Sequence, residues 1–169
     1  MKNLPLIFLM VSLYLGWFGC VIAGREGLDF YSLFFPALCL ILLRVASKPS
    51  RTEWFKLFTL VALGALIDSG LLWWGVIVFP LATHSDWLPI WMVSLWLLFV
   101  PSLSLMARAF GNRYWFAALM GAVFGPLTYA SGESFAVMQL AGASALVIYA
   151  VVWSIYLPLA FYWLGKKLL

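Results

Sequence analysis

Apolar runs long enough to cross a bilayer recur along this sequence, and no other feature restricts its fold as much. Six of them, at 4–23, 29–45, 57–79, 88–107, 114–131 and 138–164, are separated by short polar connections. A helix needs about 20 predominantly apolar residues to span a hydrocarbon core. The connections, GREGLD, ASKPSRTEWFK, PLATHSDW, ARAFGNR and the SGESF region, are too short to divide domains. The expected fold class is all-α: a polytopic membrane protein, one compact bundle of six transmembrane helices in a single domain, 1–169.

Composition excludes the main alternatives. Charged residues are 9% of the chain and mean hydropathy is +1.05, whereas soluble domains carry roughly 25% charged residues. Regular apolar–polar alternation is absent, which argues against a transmembrane β-barrel. The segment from Met1-Lys2 to VIAG has the make-up of a signal peptide but reads as the first span. Trp17 and Phe18, just ahead of Cys20, are unsuited to lipidation. Cys20 and Cys39 lie at different expected depths, so neither a bridge between them nor a disulfide framework is expected.

Basic residues orient the bundle. Lys2, Arg44, Lys48, Arg51, Lys56, Arg108, Arg113, Lys166 and Lys167 fall on one side of a six-span topology, leaving Arg25 alone on the other. Positive charge marks the cytoplasmic face, so both termini are expected there. This asymmetry accounts for the net charge of +4 without a nucleic-acid partner, for which no basic face is present. Trp54, Trp115 and Trp163 suit the inner interface, and Trp73, Trp74, Trp87 and Trp91 the outer one. Trp96 and Trp153 are left near span centres. Spans 1–3 and 4–6 would be oppositely oriented, as in an inverted repeat, with Pro36 and Pro126 in loosely corresponding places.

Within the stretch LGALIDSGLLWWG, Asp68 stands at the midpoint of the third expected span. A carboxylate at that depth costs roughly 2.5–3.5 kcal/mol on insertion scales, so it faces protein or water. At 100° per residue Gly64 lies about 40° from it and Gly75 about 20° on the other side, a small-residue stripe that admits another helix. No Lys or Arg reaches its depth. The group is expected to be neutral or held by neutral donors, with Tyr14, Trp96 and Trp153 at similar depth and Ser69 and Ser94 close by. Such a polar equator reads as a ligand site or a proton-relay element. The alternative is a plain interhelical hydrogen bond.

A second stretch, GAVFGPLTYASGES, carries the ridge Ala117, Gly121 and Gly125, suited to helix packing. There Pro126 removes a backbone donor, and a kink before a loop is the simpler reading. Tyr129 and Glu133 are candidates for an outer entrance. Hinges or kinks are equally open at Pro101 and Pro158. Loop residues Arg25, Glu26, Asp29, His84, Asp86 and Glu133 read as solvated charges. Lone His84 supports neither a metal site nor bis-histidine haem, and a Ser-His-Asp set cannot be built in the membrane. With no nucleotide-binding glycine loop either, no cofactor, metal or catalytic constellation is expected.

The blocks GWFGCVIAG (16–24), LGALIDSGLLWWG (63–75), LPIWMVSLWLLF (88–99) and GAVFGPLTYASG (121–132) resemble a bacterial inner-membrane family, domain of unknown function 2878. Trp17, Asp68, Pro89, Trp91, Trp96, Gly125, Pro126 and Tyr129 fall in its motif blocks. The resemblance implies a lipid-related role, since relatives occur in gene neighbourhoods for fatty-acyl modification that include enzymes resembling cyclopropane-fatty-acid synthase. The expected function is binding of a lipid-like ligand within the bundle, in support of membrane-lipid modification or envelope stress adaptation. Its partners would be membrane lipids and a lipid-modifying enzyme. A small transporter or flippase and a membrane scaffold for such an enzyme are the alternatives.

Overall fold

The computed structural model describes residues 4–82 and 86–165. It is all-α, with helices α1 (Leu4–Arg25), α2 (Phe34–Ser47), α3 (Arg51–Trp73), α4 (Ile90–Phe110), α5 (Tyr114–Ser134) and α6 (Ala143–Gly165). A 3-10 turn, Asp29–Leu33, precedes α2. Two short strands, β1 (Ile77–Val78) and β2 (Gln139–Leu140), pair antiparallel, with Ile77 opposite Leu140. Helices α3 and α6, of 23 residues each, are long and apolar enough to cross a membrane.

Helix α4 is the hub. It packs on α1, α2, α3 and α6, while α5 lies along α6 as the most intimate pair. Leu103, Val100 and Tyr149 are fully enclosed where these elements meet. The outward surface is just as apolar: Leu15, Leu66, Phe55, Val147 and Ile155 are all exposed.

Helix ends depart from the expected spans for local reasons. The second span opens as the 3-10 turn, so Pro36 falls in the first turn of α2, where a missing N–H has no helical acceptor to lose. Helix α3 starts at Arg51, ahead of the expected 57, because Ser50 and Glu53 form a capping box. The Glu53 N–H donates to Ser50 Oγ at 3.2 Å and the Ser50 N–H to Glu53 Oε2 at 2.8 Å, satisfying two orphan donors at once. Its end at Trp73 is followed by Gly75 at φ +70°, with open space where a side chain would be. Gly75 therefore serves a left-handed turn and not the helix-packing stripe expected for it. Asp68 accordingly stands five residues before the end of α3, not at its centre.

The three-residue link 48–50 would ordinarily bring its flanking helices together. Instead α2 and α3 barely touch, each packing on α4. Between them opens a groove of about 410 Å³ lined by Leu40, Ile41, Arg44, Val45, Trp54 and Phe58.

Candidate functional site

Four helices converge on Asp68, which has no solvent exposure. Trp96 of α4 donates its indole N–H to Oδ2 at 2.8 Å. The Tyr129 hydroxyl of α5 reaches both oxygens, at 2.8 and 2.9 Å. The Tyr149 hydroxyl of α6 lies 3.4 Å from Oδ1. All three are neutral donors, which can satisfy a carboxyl group away from water without a cation.

The chain places these groups at one level. Asp68 and Tyr129 each stand five residues before the end of their helix, and Trp96 and Tyr149 six residues after the start of theirs. Because the helices alternate in direction, these positions share one end of the bundle. That end also carries β1 and β2, whose flanking residues Ile77, Val137 and Met138 are buried.

Missing side chains make the approach close enough. A Cβ at Gly64, one turn before Asp68, would overlap the Trp96 ring, and one at Gly125, one turn before Tyr129, would overlap the Trp153 ring. At Gly121 the obstacle would be the Trp153 backbone carbonyl, so α5 and α6 touch main chain to main chain there. This is the small-residue packing of membrane-type helix pairs.

Around the carboxyl the aromatic rings form a stack. Trp96 and Trp153 lie 5.3 Å apart and 5° from parallel, Tyr129 and Tyr149 3.5 Å and 19°. Tyr156 sits edge-on to both indoles, at 5.2 and 5.4 Å, and donates its hydroxyl to the Leu60 carbonyl at 2.9 Å. Edge and offset contacts of this kind contribute about 0.5–1.5 kcal/mol each beyond area burial.

The structure thus brings Asp68, Trp96, Tyr129 and Trp153 together, the last through its ring face on Trp96 and its hydrogen bond with Tyr129. Other expected contributors lie elsewhere. Tyr14, on the outer face of α1, is 71% exposed and meets Phe18; equal depth did not mean an inward direction. Glu133 is exposed and accepts the Leu140 N–H at 2.9 Å, pinning β2 to the end of α5. Ser69 donates to the Ala65 carbonyl of its own helix, and Ser94 shares a buried 2.8 Å hydrogen bond with Ser32. Pro126 interrupts no helix, since α5 runs through it. His84 falls outside the described residues. Cys20 and Cys39 are free thiols, both buried.

Two functional-site residues escaped the sequence reading, Tyr149 and Tyr156. The signal was present: Tyr149, Trp153 and Tyr156 recur at helical i, i+4, i+7 spacing, with Trp153 already singled out. Among the described residues no cluster of three or more His, Cys, Asp or Glu comes together.

The family model described as protein of unknown function, DUF2878, matches residues 6–159. The chain belongs to that family. No curated protein and no solved structure matches it. All four members of the hydrogen-bonded node, and the aromatic rings around it, lie inside the DUF2878 region. So do all six residues lining the α2–α3 groove, so both features belong to the DUF2878 part of the chain.

Proposed function

We propose that this DUF2878 chain is a six-span protein of the bacterial inner membrane, with both termini in the cytoplasm. In this reading it binds a lipid-like molecule and supports an enzyme that modifies membrane lipids. The observation that carries the reading is the inside-out distribution of polarity. Asp68, Ser32 and Ser94 are fully buried, while Tyr14, Leu66, Val147, Val151 and Ile155 face outward. Hydrocarbon tolerates that arrangement, whereas water penalises an apolar surface this continuous. The excess of Lys and Arg in alternate loops supports the orientation.

Asp68 is the polar centre of this bundle. Three donors already occupy its oxygens, so a ligand hydroxyl reaches the node by displacing Tyr149, the longest of the contacts at 3.4 Å, and donating in its place. The splayed α2–α3 pair offers an apolar channel open to the side.

The test has two parts. Alkaline carbonate should leave the protein in the membrane fraction, and release into the supernatant overturns the membrane reading. Native mass spectrometry from nanodiscs made with a bacterial lipid extract should then show a defined lipid adduct. Loss of that adduct from a folded Asp68→Asn variant makes the node part of the ligand site. The same adduct in both makes Asp68 an interhelical clasp, and no adduct in either overturns lipid binding.

A further inference from the structure

We infer that the groove between α2 and α3 is a binding site for one anionic phospholipid of the surrounding bilayer, with the lipid phosphate on Arg44. The inference rests on the membrane-embedded reading above and adds the ligand class and its location.

The groove is graded from one end to the other. At the end next to the 48–50 link stand Arg44, from the last turn of α2, and Trp54, from the first turn of α3. Arg44 meets the wholly apolar groove through its aliphatic stem and carries its guanidinium outside it. One turn further along each helix the lining becomes Leu40 and Ile41 on one side and Phe58 on the other. Trp54 and Phe58 are stacked, 5.7 Å apart and 21° from parallel, and form a flat apolar wall. A cation, then an indole, then hydrocarbon is the order in which a phospholipid presents phosphate, glycerol region and acyl chain. Tryptophan favours that middle level, and Arg is suited to phosphate by its planar fork of donors.

Charge fixes the sign of the headgroup. The Arg44 side chain is exposed and has no ion-pair or hydrogen-bond partner among the described residues. Lys48 and Arg51, both exposed, flank the same end. The nearest acid in sequence, Glu53, is committed to the Ser50 capping box and lines a separate small cavity with Lys56 and Leu164. The lip is therefore basic without an internal counter-charge. On the proposed topology it also lies at the cytoplasmic surface, where anionic lipid attracts each nearby Lys or Arg.

The groove is shallow and open to the side, with room for part of a lipid. A volume of about 410 Å³ falls within the roughly 300–1,000 Å³ of small-molecule sites. Helices joined by so short a link normally close on each other; here Ile41 and Val45 remain 61% and 70% exposed. An acyl chain covers Ile41, and the headgroup region over Arg44 covers Val45 at the lip.

The experiment compares wild type, Arg44→Gln and Ile41→Trp in phosphatidylethanolamine nanodiscs doped with phosphatidylglycerol. Native mass spectrometry reads the lipids that remain bound on release. Wild type should retain one phosphatidylglycerol in preference to phosphatidylethanolamine. Arg44→Gln should weaken that retention roughly tenfold by removing a charge-assisted contact. Ile41→Trp, which keeps every charge but fills the channel, should abolish it. Equal retention of phosphatidylglycerol by wild type and both variants overturns the inference. Retention without preference between the two lipids also overturns it while leaving lipid binding intact. Loss of all lipids from wild type overturns both readings together.

Discussion

Trp96 lies flat against Trp153, 5.3 Å away and 5° from parallel, while its indole N–H is spent on Asp68. One side chain of α4 thereby holds α6 by its face and α3 by its edge. The two attachments are chemically separable, which makes them testable.

Trp96→Phe keeps a ring beside Trp153 and removes the N–H, whereas Trp153→Phe leaves the Asp68 contacts in place. Both lose ring area. Each also gives up an indole hydrogen bond, that of Trp153 to Tyr129 and that of Trp96 to the carboxyl group. The bond to the carboxyl is the stronger kind, so we expect Trp96→Phe to be the less stable by about 1 kcal/mol. The measurement is the temperature at which half of the detergent-purified protein leaves its monodisperse chromatographic peak. Equal midpoints would mean that the Trp96 bond to the carboxyl group is worth no more than the Trp153 bond to Tyr129.

At Asp68 itself the order of variants is diagnostic. Asp68→Asn retains an acceptor oxygen, while Asp68→Leu leaves the Trp96, Tyr129 and Tyr149 donors without one. Each buried orphan costs about 1–3 kcal/mol, so Leu should be clearly worse than Asn in the same thermal assay. Tyr129→Phe should cost more than Tyr149→Phe, because Tyr129 reaches both oxygens within 2.9 Å and Tyr149 lies at 3.4 Å. The reverse order for the tyrosines would show that their stacking, not their hydroxyls, sets the cost.

Glycine substitutions probe how closely the helices approach. A methyl at Gly121 meets the Trp153 main chain, which cannot rotate away, and one at Gly125 meets only its side chain. Gly121→Ala should therefore be more damaging than Gly125→Ala, on the scale of about 1–3 kcal/mol for overpacking. Gly70→Ala, with open space around it, should be neutral or stabilising by up to about 1 kcal/mol through helix propensity. Thermal midpoints of the three variants decide it, and a Gly125 variant weaker than the Gly121 variant would contradict the contact geometry.

The proposed topology predicts which loops face out. Glu26→Cys should react with a membrane-impermeant maleimide on intact spheroplasts, and Asn112→Cys only after permeabilisation. Background should be low because Cys20 and Cys39 are 0% and 1% exposed. Labelling of both positions from the same side would rule out an α1-to-α5 path with those loops on opposite faces.

Helix existence was legible because apolar runs of this length admit few alternatives, and the chain delivers six helices where six runs stand. Their ends were less legible. The Ser50–Glu53 capping box lies among charged residues that read as loop, so α3 begins earlier than hydropathy alone suggests. Asp68 and Trp96 could be paired by depth. Tyr14 could not be excluded in the same way, since its direction depends on how α1 is rotated. Tyr149 was hidden for the opposite reason: an aromatic residue in an apolar helix looks like packing until its hydroxyl finds Asp68. The groove lies beyond any reading of hydropathy, because it arises from α2 and α3 packing on α4 and not on each other.

The node joins residues 68, 96, 129 and 149, and every donor follows the acceptor in sequence. During synthesis into a membrane, as proposed, α3 would be released before any of its donors had been translated. The nascent chain would carry an unsatisfied acid until α4, α5 and finally α6 arrived. A chain broken off before α4 would leave the acid without any of its donors, and one broken off before α6 would lack only the longest of them.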